Sequence, residues 1–263
     1  MRIAVLADVH ANMPALRAAL HDAAALDCDT LWCVGDVVGR GPHPAEVIDE
    51  LRALDAPTVQ GNWDEAVGLR REHAGVIWAT PEAEAEGLES LAWTIERVSE
   101  EQRGWLRQLP AAQRFDVDGR SVLLFHGAPQ RQNEYLWSDR PSRVFARLGS
   151  DEGDDLMCFG NTHEAFHRLV GKTHFVAAGS VGCGTAGDPN ATYAVIDMAG
   201  SELMVNFRSV RYDRGAVDMD MRMSSLPTSL LWVPPEPHLG MEAEARRLID
   251  AAEAAEQAEA VEA

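Results

Sequence analysis

A chain of 263 residues can bury one sizeable core or two small ones. An apolar fraction of 46% with 25% charged residues describes a soluble globular protein, and no apolar run approaches the roughly 20 residues a bilayer span needs. A formal charge of −19, with Lys172 as the one lysine, argues against anionic membranes and polymeric nucleic acid as partners, because phosphate neutralisation needs clustered Lys and Arg.

The opening MRIAVLADVH has one Arg and too short an apolar run for a signal peptide, which predicts a strand from the start and a cytoplasmic protein. RIAVLAD reads as a strand, PALRAALHDAAAL as an amphipathic helix with Pro14 in its first turn, TLWCVGD as a second strand and PAEVIDELRAL as a second helix. PTVQGN reads as a third strand. This alternation predicts a parallel α/β layer. Residues 65–110 turn helical: Thr80-Pro81 opens one helix, and Ser99 with Gln102 forms a capping box for EEQRGWLRQL. Trp78, Trp93 and Trp105 are expected to cover one side of a cleft.

From residue 111 strand patterns dominate. QRFDVDGRSVLLFHGAP reads as a hairpin around Asp118-Gly119, followed by strands in DDLMCFGNTH, THFVAAGSVG, TYAVIDM and ELMVNFRSV. GSVGCGTAGDPN is glycine-rich but leads into a strand and not a helix, so it fails as a dinucleotide loop and reads as a tight turn. The whole predicts two packed mixed β-sheets, a β-sandwich flanked by helices, of the α/β (α+β) class. One domain spans 1–233 with a helical insert at about 65–110; a Pro-rich linker and an acidic Ala/Glu-rich helix occupy 234–263. That last helix reads as solvated, with a docking or homo-oligomer role as the alternative. Cys28, Cys33, Cys158 and Cys183 show no CxxC pairing and read as buried free thiols.

Polar residues collect where the strands end: Asp8 and His10, Asp36, Asn62 and Asp64, His126, then Asn161 and His163. In α/β sheets the C-terminal strand ends are where ligands bind. Each group alone is an ordinary turn or cap, but together they form a hard-oxygen and imidazole donor set suited to manganese, iron, zinc or magnesium.

DVHAN, GDVVGRG, GNWDEA, FHGAP and GNTHEAF together resemble the calcineurin-like metallophosphoesterase superfamily, over about residues 1–210. Within it, GDVVGRGPHPAEVI and GSVG…GDPNATYAVID look like a small bacterial and archaeal phosphoesterase group related to diadenosine tetraphosphate hydrolases and Ser/Thr protein phosphatases. The resemblance implies a four-layer β-sandwich fold. It implies that Asp8, His10 and His163 hold one divalent cation, that Asp36 bridges it to a second, and that Asn62 and His126 hold that second ion. Manganese is the expected metal, with iron, zinc, nickel or magnesium as alternatives. A hydroxide between two cations roughly 3.5–4 Å apart is the implied nucleophile. Arg40 occupies the place of a phosphate-binding arginine, and His43, three residues on, is a weaker candidate as proton donor.

Two positions depart from the family pattern. Trp63 stands where many relatives carry the His credited with assisting the leaving group; indole cannot donate a proton in that way, which favours aryl leaving groups. Asn161 stands where most relatives have a metal-binding His. It offers a neutral amide oxygen, so it either ligates the second ion, leaves a place for water, or leaves a site filled only with substrate. His167 could replace it only if the chain turned back. Asp64 is expected to orient His10.

The expected function is hydrolysis of phosphodiester bonds in small molecules or nucleotides, with a small phosphate ester as substrate. The alternatives are a phosphomonoesterase or Ser/Thr-type protein phosphatase, suggested by Arg40, and a non-catalytic metal-binding regulatory module, suggested by Asn161 and Trp63.

Overall fold

A computed structural model describes residues 1–78, 80–200 and 202–231. The expected C-terminal linker and helix lie outside the described residues. Nine strands form two sheets among these residues. The first sheet contains β1 (Arg2–Leu6), β2 (Thr30–Cys33), β8 (Ala191–Ala199) and β9 (Glu202–Val210) in the order β2-β1-β8-β9. The second contains β3 (Ala112–Val117), β4 (Arg120–Phe125), β5 (Leu156–Phe159), β6 (Ala165–Val170) and β7 (Thr173–Ala178) in the order β3-β4-β5-β7-β6. Both sheets are mixed. β1 runs parallel to β2 and antiparallel to β8, while β4, β5 and β7 are parallel between the antiparallel edge strands β3 and β6.

The central strands are largely apolar because both faces are covered. Along β1, Ile3 and Val5 point into the space between the sheets with Val122, Leu124, Leu156, Cys158 and Ile196. The intervening Ala4 and Leu6 face the helices, against Leu16 and Ala19 of α1 (Met13–Ala25) and Val47, Ile48 and Leu51 of α2 (Pro44–Ala53). β5 repeats the pattern on the far side: Met157 and Phe159 meet Phe145 of α6 (Ser142–Glu152). Each fully buried side chain of this size contributes about 1.5–3 kcal/mol relative to exposure. The result is the expected sandwich with a helical layer on either side.

The insert forms α3 (Asn62–Leu69), α4 (Pro81–Arg97) and α5 (Glu100–Gln108). Thr80 caps α4 by accepting from Ala83 N, and the Ser99–Gln102 box caps α5 as its sequence implies. At the β3–β4 turn, Asp118 and Gly119 both take positive φ, 52° and 79°, which a two-residue turn joining twisted strands requires.

Three expectations change. PTVQGN supplies one bridging residue, Thr58 opposite Cys33, and no strand: Pro57 lacks an N–H and Gly61 already enters α3. β6 forms where no strand was expected, pairing back on β7 across Gly171. α6 and α7 (Arg214–Met223) were not expected. Of the three insert tryptophans, Trp105 packs against the helical side of the first sheet, Trp93 against the α7 cluster and Trp78 against both, and Trp78 also lines the cleft at the strand ends. No helix among the described residues is long and apolar enough to cross a membrane.

Candidate metal centre

The chain turns sharply at the ends of β1, β2 and β5, and the backbone there is unusual. Seven of the twelve non-glycine residues with positive φ among those described lie in these turns: Asp8, His10, Ala11, Asp36, Arg40, Asn161 and His163. Such conformers cost on the order of 1–3 kcal/mol and persist where surrounding bonds over-determine them. The bonds are present. Asp8 N donates to Gly35 O at 3.0 Å, His10 N to Asp36 O at 2.9 Å and Ala11 N to Val37 O at 2.9 Å, so the first two turns brace each other. Asp8 O accepts from Gly182 N and from Ser180 Oγ, both at 2.9 Å, which places the glycine-rich turn behind the first motif. Gly61 is needed because a Cβ there would fall 2.1 Å from Asp36 Oδ1.

These turns gather six of the residues named from the sequence. Asp8, His10, Asp36, Asn62, His126 and His163 are buried together. One ligand atom from each of Asp8, His10 and Asp36 lies within 4.8 Å of the others. Asp36 Oδ2 is 3.7 Å from His10 Nε2 and 3.4 Å from His126 Nε2; Asp8 Oδ1 is 3.7 Å from His163 Nε2 and 3.9 Å from His126 Nε2. Asp36 Oδ1 is occupied separately, accepting from Trp63 N at 2.9 Å.

The chemistry of these contacts calls for positive charge. Val34 O can only accept, so His126 donates from Nδ1 at 2.8 Å, and a neutral ring then presents a lone pair at Nε2. That lone pair faces Asn62 Oδ1 at 3.1 Å, and the Asn62 orientation is set by Nδ2 donating to Ala74 O at 2.7 Å. His10 repeats the arrangement, with Nδ1 against Val38 O at 3.3 Å and Nε2 against His163 Nε2 at 3.1 Å. With a neutral His126 ring, acceptor faces acceptor at Asn62; at the His10–His163 contact His163 Nδ1 has no partner, so a proton on His163 Nε2 can bridge the two rings. The donor set therefore fits divalent cations, with backbone carbonyls fixing the tautomer as they do for metal-bound imidazoles.

Burial pushes the Asp8 carboxyl up to about 8, the neighbouring Asp36 charge adding to it. Burial opposes charge on His126 as well, but Asp36 and Asp8 outweigh it and raise the ring to about 10, so without a cation a second proton at Nε2, donated toward Asn62 Oδ1, takes the cation's place. His10 and His163 are held well below the usual imidazole value, by burial first and then by the Arg40 charge.

The remaining named residues are placed differently. Asn161 N donates to both Asp8 carboxylate oxygens, at 3.2 and 3.0 Å, and its Nδ2 donates to Glu134 O at 2.9 Å. Its side chain lines the adjoining cleft together with Asp36, Arg40, Trp63 and His163. Among the described residues Arg40 donates one long 3.5 Å bond, to Leu230 O, its buried Nε has no hydrogen-bond partner, and its guanidinium lies over the Trp63 and Trp78 rings. His43 does not line that cleft; it caps the start of α2 and its Nε2 pairs with Asp220 Oδ2 of α7 at 3.0 Å. His167 points away on β6, paired with His174.

Asp64 does not meet His10. It sits in the first turn of α3, where Oδ2 accepts from Gly61 N at 2.9 Å and Oδ1 from Val37 N and Val38 N at 2.9 and 3.2 Å. It holds the turn that carries Asp36, and His10 takes its orientation from Val38 O. Trp63 is 1% exposed and presents its edge to His10, with ring centroids 6.1 Å apart.

Sequence reasoning missed two contributors. Cys183 brings its thiol within 4.8 Å of ligand atoms of His10 and His163. It lies in the GSVGCG turn, and applying the strand-end rule to β7 as to β1 and β5 would have drawn attention to it. Tyr135 and Trp137 line the cleft from the loop after β4, where the aromatic pair in NEYLWS was the available signal.

Comparison with known proteins agrees with this geometry. The chain is 28% identical over 227 residues to the uncharacterized protein MJ0912 of Methanocaldococcus jannaschii, covering 80% of this chain and 88% of that one. The crystal structure of a metallophosphoesterase from Sphaerobacter thermophilus superposes with a TM-score of 0.70 at 29% identity, covering 88% of this chain and 97% of that one. The hypothetical protein PH1004 from Pyrococcus horikoshii OT3 superposes with a TM-score of 0.77 at 22% identity, over 92% and 98% of the two chains, and shares the fold. The family model described as the calcineurin-like phosphoesterase superfamily domain matches residues 1–201. With strand-end turns converging on a buried Asp/His/Asn cluster whose donors suit a metal ion, the chain belongs to the calcineurin-like phosphoesterase superfamily, whose chemistry is metal-dependent hydrolysis of phosphoesters.

Proposed function

We propose that this protein hydrolyses phosphodiester bonds of small molecules or nucleotides, and that Asp8, His10, Asp36, Asn62, His126 and His163 hold two divalent cations, with manganese preferred. Asn161 Oδ1 is the remaining acceptor on the second ion's side. The observation that carries the reading is the burial together of two carboxylates, three imidazoles and the Asn62 amide, with His126 Nε2 turned toward both Asn62 Oδ1 and Asp36 Oδ2. When bound, the two ions would supply a nucleophile from water and neutralise charge on the phosphoryl oxygens.

The chain's own residues do the rest. Arg40 reaches the cleft with an unpartnered Nε and would hold a phosphate oxygen. Asp64 keeps the Asp36 turn in place. Trp63 seals the floor and offers no proton, and His43 is committed to Asp220, so neither protonates the leaving oxygen. Esters whose alcohols leave without assistance are favoured, aryl esters above alkyl ones.

A second reading, phosphomonoester hydrolysis, is favoured by Arg40 alone, because a guanidinium clamps a terminal phosphate best. Comparing aryl mono- and diester hydrolysis in manganese for the native protein and Arg40→Ala decides between them. A diesterase hydrolyses diesters faster than monoesters in the native protein and loses more of its monoester than of its diester rate in the variant; faster native monoester hydrolysis contradicts that assignment.

A further inference from the structure

Beside the ligand cluster the cleft has a wall that phosphate chemistry does not use. It is formed by Trp63, Trp78, Tyr135 and Trp137, with Ile77 at the rim and Arg40 between this wall and the ligands. The cleft is open at its mouth, and the space it encloses is small, about 40 Å³. A site for phosphate alone would be lined by cations and hydrogen-bond donors. Here the one cation lining the cleft is Arg40, and most of the other residues are aromatic or aliphatic.

The four aromatic rings are not equivalent. Trp63 is buried, edge-on to both His10 and Trp78, and acts as floor. Tyr135 and Trp137 stack on each other at 5.3 Å and 10°, a pre-formed aromatic block. Trp78 is only half-buried, stands at 87° to Trp63, and lies in a stretch with neither helix nor strand. The Arg40 guanidinium carbon is 5.7 Å from the Trp78 ring centre, so a phosphate on Arg40 would carry its nearest substituent toward that ring.

We propose that this wall is a subsite for a planar aromatic substituent of the phosphoester, a nucleobase or an aryl group, with Trp78 as its stacking face. The assignment rests on the phosphoesterase reading for its phosphate position. It goes beyond that reading by naming which side of the ester is recognised, and how. Stacking on an aromatic side chain is sequence-tolerant among bases, so the subsite discriminates flat from non-flat groups and not one base from another.

Binding tests this without requiring turnover. The full-length protein in manganese is titrated, by tryptophan fluorescence and calorimetry, with a nucleoside 5′-monophosphate, phenyl phosphate, ribose 5-phosphate and inorganic phosphate. The expected result is at least one aromatic ligand binding roughly ten-fold tighter than ribose 5-phosphate. That preference should collapse in Trp78→Ala and in the bulk-preserving Trp78→Leu, with inorganic phosphate affinity unchanged. Preference for phenyl phosphate as well identifies a general aryl site; preference for the nucleotide alone identifies a nucleobase site. Equal affinity of all three organic phosphates, or a preference that survives Trp78→Leu, overturns the proposal. An intact preference in a protein that hydrolyses no ester would overturn the phosphoesterase reading and leave the subsite standing.

Discussion

His126 Nε2 and Asn62 Oδ1 face each other at 3.1 Å with the remaining polar atoms of both side chains already committed, Nδ1 to Val34 O and Nδ2 to Ala74 O. Two acceptors at that separation repel unless a proton or a cation lies between or beside them. Bound cations relieve the conflict, and a ligand that binds only the folded state stabilises it. Manganese at a hundred times its dissociation constant should add about 2.7 kcal/mol, which for a domain of this size raises the melting temperature by roughly 5–10 °C. Calorimetric melts with and without metal read this directly. His126→Ala should abolish most of the rise, and a metal-free protein as stable as the loaded one would contradict it.

Asp64 accepts three backbone N–H bonds while wholly buried. Replacing it with Ala strands Val37, Val38 and Gly61 N–H groups, each costing about 1–3 kcal/mol when unsatisfied. Asp64→Ala is therefore expected to lose at least ~2 kcal/mol in denaturant unfolding. It should also weaken metal binding, because the Asp36 turn is freed, although Asp64 itself is no ligand. A variant that loses stability but keeps native metal affinity would confine Asp64 to capping α3.

Asn161 has φ +67° and a side chain on the cleft. Histidine tolerates this backbone region better than branched residues do, so Asn161→His should fold. Imidazole is a stronger ligand than an amide oxygen toward manganese, iron or zinc. The weaker step of a two-step metal titration is expected to tighten by about ten-fold or more, equivalent to ~1.4 kcal/mol. An unchanged titration would leave Asn161 as the residue that holds the Asp8 carboxylate through its backbone N–H.

Away from the site, His167 Nε2 and His174 Nδ1 meet at 2.9 Å with their rings stacked. Burial lowers both, and His174 also feels His167 and Arg120 against the opposing charge of Asp155. With folded values below unfolded ones, the unfolded chain takes up protons first. The stability is complete above the unfolded value near 6.5 and is lost as pH falls below it. Melting curves should show a drop between pH 7.5 and 5.5 that is smaller in His167→Gln. An equal drop in both proteins would remove this pair from the pH response.

The ligand cluster could be read from the sequence because most of its donors follow short, largely apolar strands, as IAVL before Asp8 and LMCF before Asn161 and His163. Elements with thin apolar faces could not. α6 buries only Phe145, α7 only Val217 and Met221, and β6 alternates half-buried and exposed residues right after a turn-like segment. Asp64 was misassigned because capping and imidazole orientation demand the same residue type, and only the fold shows which N–H groups it meets. Tyr135, Trp137 and Cys183 arrive on loops, where no periodicity reports which way a side chain faces.

The most direct test of the central claim is hydrolysis of an aryl phosphodiester, with metal stoichiometry measured on the same preparation. Two manganese ions per chain and turnover at least a hundred-fold slower in Asp36→Asn are expected, with the folded structure retained. A well-folded native protein that binds two ions yet hydrolyses neither diesters nor monoesters, or an Asp36→Asn variant as active as the native protein, would contradict the account.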